Sequence, residues 1–353
     1  MPDSLPHIVP PHVPNQTLLQ HIRLYKASVV DSLEHHGAIL FRGWNINGPD
    51  EFADVTHALS EEHDIRLDIA CSAGPRLEIV PGVFTSNEAP PSEDIPVHHE
   101  MAQCDDPPKY VCFFCEVPSP EGGCTPLVRS QDIACDLRSR FPDVAQRIHE
   151  KGVRYVREFP ATTDMTSPLG KSWGDTFRVN TRVDAEKELT RLGYEWSWSS
   201  NDDVSSRLRT IGHPRPVLIG DSSTGMEVLF TAAESVFVPP RPNRPEKSFV
   251  FGDGTPLDDE CVHAFRSVGQ RAFSEAHRFI WQSGDVLILN NETVMHARDP
   301  FTPPRRILVS LLGHIHGGHP YANVEDAHRV EKNYSESDDT FIRFCDHSIK
   351  TMV

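Results

Sequence analysis

No apolar run in the 353 residues approaches the ~20 that a membrane-spanning helix needs, so a soluble protein is expected. The first sixteen residues, MPDSLPHIVPPHVPNQ, hold neither a basic region nor a continuous apolar stretch, so no secretory leader is read there and the cytoplasm is the expected compartment. Positive charge is in short supply: 34 Lys and Arg stand against 51 Asp and Glu, a formal net charge of −17. A surplus of that size repels a phosphate backbone and an anionic membrane surface, so neither nucleic acid nor membrane is an expected partner. Cysteine is sparse too, and the eight at 71, 104, 112, 115, 124, 135, 261 and 345 are scattered rather than arranged as a disulfide framework, so reduced thiols are expected. Cys112 and Cys115 have CxxC spacing but lie in the apolar run YVCFFCEV with no second pair, which reads as a strand rather than a zinc or redox motif. No internal repeat and no low-complexity tract is present.

What is abundant is punctuation. Thirty prolines and 21 glycines cut the chain into short segments, which suits a β-rich fold better than a helical bundle. Residues 1–16 are proline-rich and read as an extended or poorly ordered arm. From Thr17 to His36 the apolar positions Leu18, Leu19, Ile22, Leu24, Val29, Val30 and Leu33 fit an amphipathic helix, with Thr17 and Gln20 at capping-box spacing and Gly37 as its stop. AILFRGW reads as a buried strand, and Pro49-Asp50-Glu51 opens a second helix. Short strands follow at RLEIV, GVFTS, IPVHHEM, KYVCFFCEV and TPLVR, then a helical stretch over Ser130–Lys151 and the strand YVREF. Residues 160–205 are polar and break the strand rhythm, as an insertion or lid would. Strand character resumes at PVLIG, MEVLF and ESVFV; a helix over Asp258–Glu275 precedes HRFIW, GDVLILNN and RRILVSLLG. The domain reading is therefore an arm over 1–16 and one domain over 17–353, interrupted at about 160–205.

Metal chemistry is carried by Ile95-Pro96-Val97-His98-His99-Glu100-Met101. In a strand, residues i and i+2 share a face, so the His98 imidazole and the Glu100 carboxylate converge on one point while His99 faces away and reads as structural. Alone the pair is a weak signal: 19 histidines and an acid fraction of 51/353 give about 2.7 His-x-Asp/Glu triplets by chance, and a surface His–Glu pair is the competing account. Its weight comes from a second block, Gly284-Asp-Val-Leu-Ile-Leu-Asn-Asn-Glu-Thr-Val-Met-His296-Ala-Arg298, where a buried strand ends in polar turn residues and then a histidine. Two histidines and a carboxylate form a facial triad that leaves three positions of Fe(II) open, enough for a chelating 2-oxo acid and O2. A closed tetrahedral zinc site leaves no such room. Shortly after comes Pro303-Pro304-Arg305-Arg306-Ile307, a cation at the mouth of an apolar strand. The far carboxylate of a dicarboxylate needs a fixed planar fork, a role that Arg306 fits, with Arg305 as the alternative. Thr125, in Glu121-Gly122-Gly123-Cys124-Thr125-Pro126, is the candidate hydroxyl beside it, the glycines allowing backbone to approach a ligand closely.

At these residues the chain resembles the taurine dioxygenase and clavaminate synthase-like family of Fe(II)/2-oxoglutarate oxygenases. The matching blocks are HGAILFRGW, IPVHHEM, PEGGCTPL, GDVLILNNETVMHARDPF and PPRRILVSLLG, in the family's order from about residue 35 to 315. The resemblance implies a β-rich α+β fold, a double-stranded β-helix or jelly-roll core with flanking helices. It implies His98, Glu100 and His296 as the catalytic iron ligands and Thr125 and Arg306 as the grip on 2-oxoglutarate. Glutamate in place of the commoner aspartate points toward the clavaminate synthase-like branch, and the presence of a carboxylate argues against the halogenating relatives. Two departures stand out. Several relatives hold an acidic group of the substrate with a second arginine four residues beyond the first, where this chain has Ser310, and the spacing from His296 to Arg306 is short.

The implied reaction consumes 2-oxoglutarate and O2, releases succinate and CO2, and oxidises a C–H bond of a small metabolite such as an amino acid or its derivative. Hydroxylation is the first expectation; desaturation or cyclisation needs only a different pocket around the same cofactors. Two readings from other classes compete: a non-catalytic metal-binding jelly-roll protein, and a zinc hydrolase on the same three side chains. Arg306 with Thr125 separates the first, since a binding module needs no dicarboxylate grip. Elsewhere, His314 and His316 share i, i+2 spacing but read as surface residues, and Arg298 as a structural or supporting cation. Tyr194, Trp196 and Trp198 alternate either as a lid lining or as an edge ribbon. A homo-oligomer is neither indicated nor excluded by any motif.

Overall fold

The computed structural model of the chain describes residues 5–60, 75–86, 89–104, 107–165, 170–200, 206–220, 225–232 and 249–313. The expected strand ESVFV, the His314/His316 pair, the polar tail, Cys71 and Cys345 lie outside the described residues. In chain order the fold starts with β1 (His7–Val9), α1 (Leu18–His36), β2 (Ala38–Phe41), α2 (Pro49–Ser60), β3 (Glu78–Val80), β4 (Val83–Thr85), β5 (Ile95–His98), β6 (Tyr110–Val117), β7 (Glu121–Gly122) and β8 (Leu127–Arg129). The middle gives α3 (Ser130–Arg140), α4 (Pro142–Lys151), β9 (Val153–Phe159), α5 (Trp173–Phe177), α6 (Arg182–Arg191), β10 (Glu195–Trp198), β11 (Leu208–Ile211), β12 (Leu218–Gly220) and β13 (Glu227–Leu229). Next come β14 (Phe249–Phe251), α7 (Asp259–Glu275), β15 (Val286–Asn290), β16 (Val294–Arg298), β17 (Phe301–Thr302) and β18 (Arg306–Leu312).

A seven-stranded sheet in the order β1-β2-β15-β6-β18-β4-β3 dominates; only the β1–β2 pair is parallel. The arm thus contributes an extended edge strand, His7–Val9, rather than hanging loose. Strand alternation sorts the side chains of this sheet onto two faces. Ile39, Phe41, Cys112, Phe114, Val286, Ile288, Leu308 and Leu312 pack outward against the apolar stripes of α1 and α2. Leu40, Val111, Phe113, Cys115, Leu287, Leu289, Ile307, Val309 and Leu311 pack inward, where Leu127 and Val294 meet them from a three-stranded sheet, β5-β16-β8. The far face of that small sheet, with Val97, Val128, Met295 and Ala297, is covered by α3, α4 and α7. Two sheets therefore enclose an interior with helices on both outer flanks, a sheet-rich α+β arrangement.

Local signals account for the ends of the long helices. Thr17 caps α1 as expected: its hydroxyl accepts from Gln20 N at 3.2 Å and the Gln20 side chain accepts from Thr17 N at 3.1 Å. Gly37 ends α1 at φ +78°, and a Cβ there would meet Val294 Cγ2 at 2.6 Å, so glycine is required twice over. The expected helix over 130–151 is two helices, parted at Phe141 by the proline that opens α4. HRFIW forms no strand; only His277 bridges to Leu127.

The 160–205 segment differs from the irregular chain its composition suggested. It holds α5, capped by Ser172, α6, capped by Thr181, and β10, which pairs with β11 in a sheet ordered β10-β11-β9-β14. Its own small core joins Phe159, Trp173, Ala185, Leu189 and Leu208. Trp198 lies edge-on to Trp173, stacks under Arg182 and donates to Glu186, while Trp196 points outward, so the aromatic alternation reflects ribbon packing. Among the described residues no helix is long and apolar enough to cross a membrane.

Candidate metal centre

β16 lies between β5 and β8, and its register pairs His296 with His98 on one side and with Leu127 on the other. Two histidines 198 positions apart thereby become cross-strand neighbours, with ring centroids 4.4 Å apart. His296 faces the interior, where Phe113 of the large sheet meets it edge-on at 5.2 Å. Glu100 arrives by a different route from the one strand alternation suggests. β5 ends at His98, and Glu100 sits in the turn beyond, fixed by Asn291: Glu100 N donates to Asn291 Oδ1 at 2.8 Å and Asn291 Nδ2 donates to Glu100 O at 3.0 Å. Met101 takes a left-handed φ of +56° to complete that turn.

The ligand atoms of His98, Glu100 and His296 lie within 4.8 Å of one another, the only such His/Cys/Asp/Glu group found among the described residues. Bonds of about 2.1 Å to a shared ion put cis ligands about 3 Å apart, so loading closes the set by about 1–2 Å, within reach of side-chain rotation. The donor chemistry fits a divalent ion. His98 Nδ1 donates to the Pro96 carbonyl at 2.8 Å, which fixes the tautomer and turns the lone pair of Nε2 toward the centre. His296 is buried, its Nδ1 has no hydrogen-bond partner among the described residues, and burial first, then the neighbouring His98 and Arg76, holds its pKa well below the usual value, so it stays neutral as a ligand must. His99 is absent from the cluster. Its Nδ1 accepts from Thr231 N and its Nε2 donates to Ser130 Oγ at 2.6 Å, while burial pushes its pKa down to about 3.

Beyond the histidines, residues 123–127 run antiparallel to 296–300, held by Ala297 N to Pro126 O at 2.9 Å, Asp299 N to Cys124 O at 3.1 Å and Gly123 N to Pro300 O at 2.9 Å. Leu127, Thr125 and Gly123 therefore succeed one another along the same face at about 7 Å per step, leading away from His296. Thr125 is buried and its hydroxyl accepts from Trp281 Nε1 at 3.1 Å. Because indole N–H is only a donor, the Thr125 proton stays available for an anion.

Arg306 was expected to grip the co-substrate. Its side chain is 47% exposed and pairs with Glu116 at 2.7 Å, outside the interior. Arg305 occupies the inner position instead. Its Nε donates to Gly123 O at 3.0 Å, its guanidinium lies over Phe301, and it has no carboxylate partner among the described residues. Burial first, then the nearby Arg298 guanidinium, lowers its pKa to about 10. Gly123 makes room for it: at φ +70°, a Cβ there would stand 2.8 Å from Arg305 Cδ. Arg305 is thus a half-buried cation held by one carbonyl, with no acid beside it among the described residues. Arg298 has a supporting role, donating to the carbonyls of Ala89, Pro90 and Glu93 just before β5. The neighbouring Asp299 pairs with Arg278.

Arg76 was not singled out by any sequence pattern. Its Nη2 lies 3.0 and 2.9 Å from the two Glu100 oxygens, with both side chains 9% exposed. No motif surrounds it; only the fold brings the segment leading into β3 to the centre.

The sequence model of the family described as "Taurine catabolism dioxygenase TauD, TfdA family" matches residues 5–312. A clavaminate synthase-like protein of Arabidopsis thaliana is 36% identical over 285 residues, 80% of this chain and 83% of the relative. The dapdiamide synthesis protein DdaC of Enterobacter agglomerans is 26% identical over 318 residues, covering 84% and 92%. Among solved structures, a taurine dioxygenase from Burkholderia xenovorans superposes with a TM-score of 0.51 at 15% identity over 88% of each chain, which is a likeness of fold.

Proposed function

This chain belongs to the taurine catabolism dioxygenase TauD/TfdA family and is an Fe(II)- and 2-oxoglutarate-dependent oxygenase, and from that premise we propose that it hydroxylates a C–H bond of a small metabolite, an amino acid or amino-acid derivative. His98, Glu100 and His296 hold the iron in this reading, with the two enclosing sheets as its jelly-roll core. Bound there, the ferrous ion supplies the activation of O2 coupled to decarboxylation of 2-oxoglutarate to succinate.

The protein's part is binding and orientation. Arg305, rather than Arg306, takes the far carboxylate of 2-oxoglutarate as a bidentate fork, and the Thr125 hydroxyl, its oxygen engaged by Trp281, donates to the same end. The observation that carries this reading is a half-buried arginine with no counter-charge among the described residues, on the same interior face as a two-histidine, one-carboxylate cluster. The interior position four residues beyond Arg305 is Val309, and Ser310 follows it facing outward. Neither residue can grip an acidic substrate group, so recognition of the substrate rests on other residues. The single domain takes in the arm's edge strand β1 as well as the chain from about residue 17, with 160–205 as an inserted subunit of structure, and the compartment is the cytoplasm.

The test is succinate release with Fe(II), 2-oxoglutarate and a panel of amino acids and their derivatives. Substrate-stimulated release that His98→Ala and His296→Ala both abolish is expected. Undiminished turnover in either histidine variant sinks the assignment.

A further inference from the structure

Three open coordination positions are the resource on which such a centre depends, since a 2-oxo acid takes two and O2 the third. A glutamate ligand threatens that resource. Its side chain has one more rotatable bond than aspartate, and a carboxylate that binds through both oxygens consumes one of the three. Resting on the metal-centre reading above, we propose that Arg76 is a positioning residue that prevents Glu100 from chelating the iron and so keeps the third position open.

The geometry carries the argument. One nitrogen, Arg76 Nη2, stands 3.0 Å from Oε1 and 2.9 Å from Oε2. A nitrogen equidistant from both oxygens lies on the bisector of the carboxylate, which is the place a chelated cation takes. The same Oε2 is also 3.9 Å from His296 Nε2. A metal shared with His296 therefore meets one oxygen while the arginine retains the chelating face.

Both partners are anchored against displacement. The backbone of Glu100 is clamped in both directions by Asn291. Arg76 begins the β3–β4 ribbon, where the next residue exchanges bonds with Thr85: Leu77 N donates to Thr85 Oγ1 at 3.1 Å and Thr85 N to Leu77 O at 2.9 Å. A pair with both side chains this little exposed is screened by salt far less than a surface pair. Among the described residues Arg76 Nη1 is buried with no hydrogen-bond partner, an unfavourable arrangement unless the residue is held for another purpose.

The full-length protein loaded with Mn(II) in place of iron provides the test, read by water-proton relaxation and by a crystal structure of the complex. Wild type is expected to show three exchangeable waters, and Arg76→Met to lose about one third of the inner-sphere relaxivity per bound Mn(II) as Glu100 turns bidentate. Arg76→Lys, which keeps a cation in the place, is expected to stay at the wild-type value. Relaxivity in Arg76→Met equal to wild type overturns the proposal, even if its Mn(II) affinity rises from loss of a nearby positive charge. The wild-type complex reads the same point without a variant: one Glu100 oxygen on the metal with Arg76 still on the carboxylate supports it, and two oxygens on the metal overturn it. A wild type that binds no Mn(II) overturns instead the metal assignment on which the proposal rests.

Discussion

Arg305 and Arg306 are sequence neighbours whose surroundings differ: one guanidinium is half-buried with no acid beside it among the described residues, the other lies half in solvent against Glu116. Truncating the first removes charge-assisted hydrogen bonds worth about 1.5–3 kcal/mol each, so Arg305→Ala should raise the KM for 2-oxoglutarate by about tenfold or more. Losing the exposed pair costs about 0–1 kcal/mol, and Arg306→Ala should leave that KM nearly unchanged. Succinate release at varied 2-oxoglutarate measures both, and a larger effect at 306 would reverse the assignment. The reason the sequence favours Arg306 lies in the strand that follows. Alternation reveals facing only when one face is polar, and in RILVSLL both faces are buried, the odd positions inside and the even ones under α2. An irregular register between Arg306 and Ile307 removes the remaining cue. Arg76 was illegible for a simpler reason, because the sheet edge that delivers it to Glu100 is a tertiary fact with no local signature.

At the level of elements, the turn after β5 does what a strand was expected to do. Glu100 reaches the His98 side because Asn291, at the end of β15, satisfies its backbone and also donates to Pro108 O at 2.8 Å. Asn291→Ala leaves several buried polar groups unpaired at about 1–3 kcal/mol each, so a loss of several kcal/mol in urea unfolding is expected, together with weaker Mn(II) binding. Stability lost without any change in Mn(II) affinity would separate the turn from the ligand. α7 offers a cleaner case. Asp258 caps it by accepting from Cys261 N at 2.9 Å, and Asp258→Ala should cost about 1 kcal/mol. Its carboxyl is held below the usual range, first by that backbone N–H and further by Arg147. A group with a lowered folded pKa contributes above its unfolded value and loses that contribution as pH falls. The gap between wild type and variant in urea unfolding should therefore be full at pH 7 and narrow once pH drops below about 4. Helices with strong caps and wide apolar stripes, α1 and α7, were legible before folding, whereas α5 and α6 were not. α6 buries only Ala185 and Leu189, too little periodicity to stand out from the polar chain around it.

Across the whole molecule, the centre joins parts that share no segment: His98 at the end of β5, His296 in β16, Arg76 just before the edge strand β3 and Arg305 at the mouth of β18. Five short blocks revealed this architecture because they are the pieces that must meet, while the connecting chain is free to vary in length. Meeting has a thermodynamic consequence. Ligands that bind only the folded arrangement stabilise it by RT ln(1 + [L]/Kd), about 2.7 kcal/mol at a hundredfold excess over Kd, and tie the two sheets together as they do so. Mn(II) should raise the unfolding temperature by several degrees, and 2-oxoglutarate should add a second increment only when Mn(II) is already present, because one end of the diacid needs the metal. EDTA should reverse both. The variants divide the effect: His296→Ala loses the two increments together, and Arg305→Ala keeps the metal increment and loses the 2-oxoglutarate one. A 2-oxoglutarate increment that survives either substitution, or that needs no metal, would mean that the anion binds somewhere other than between the two sheets.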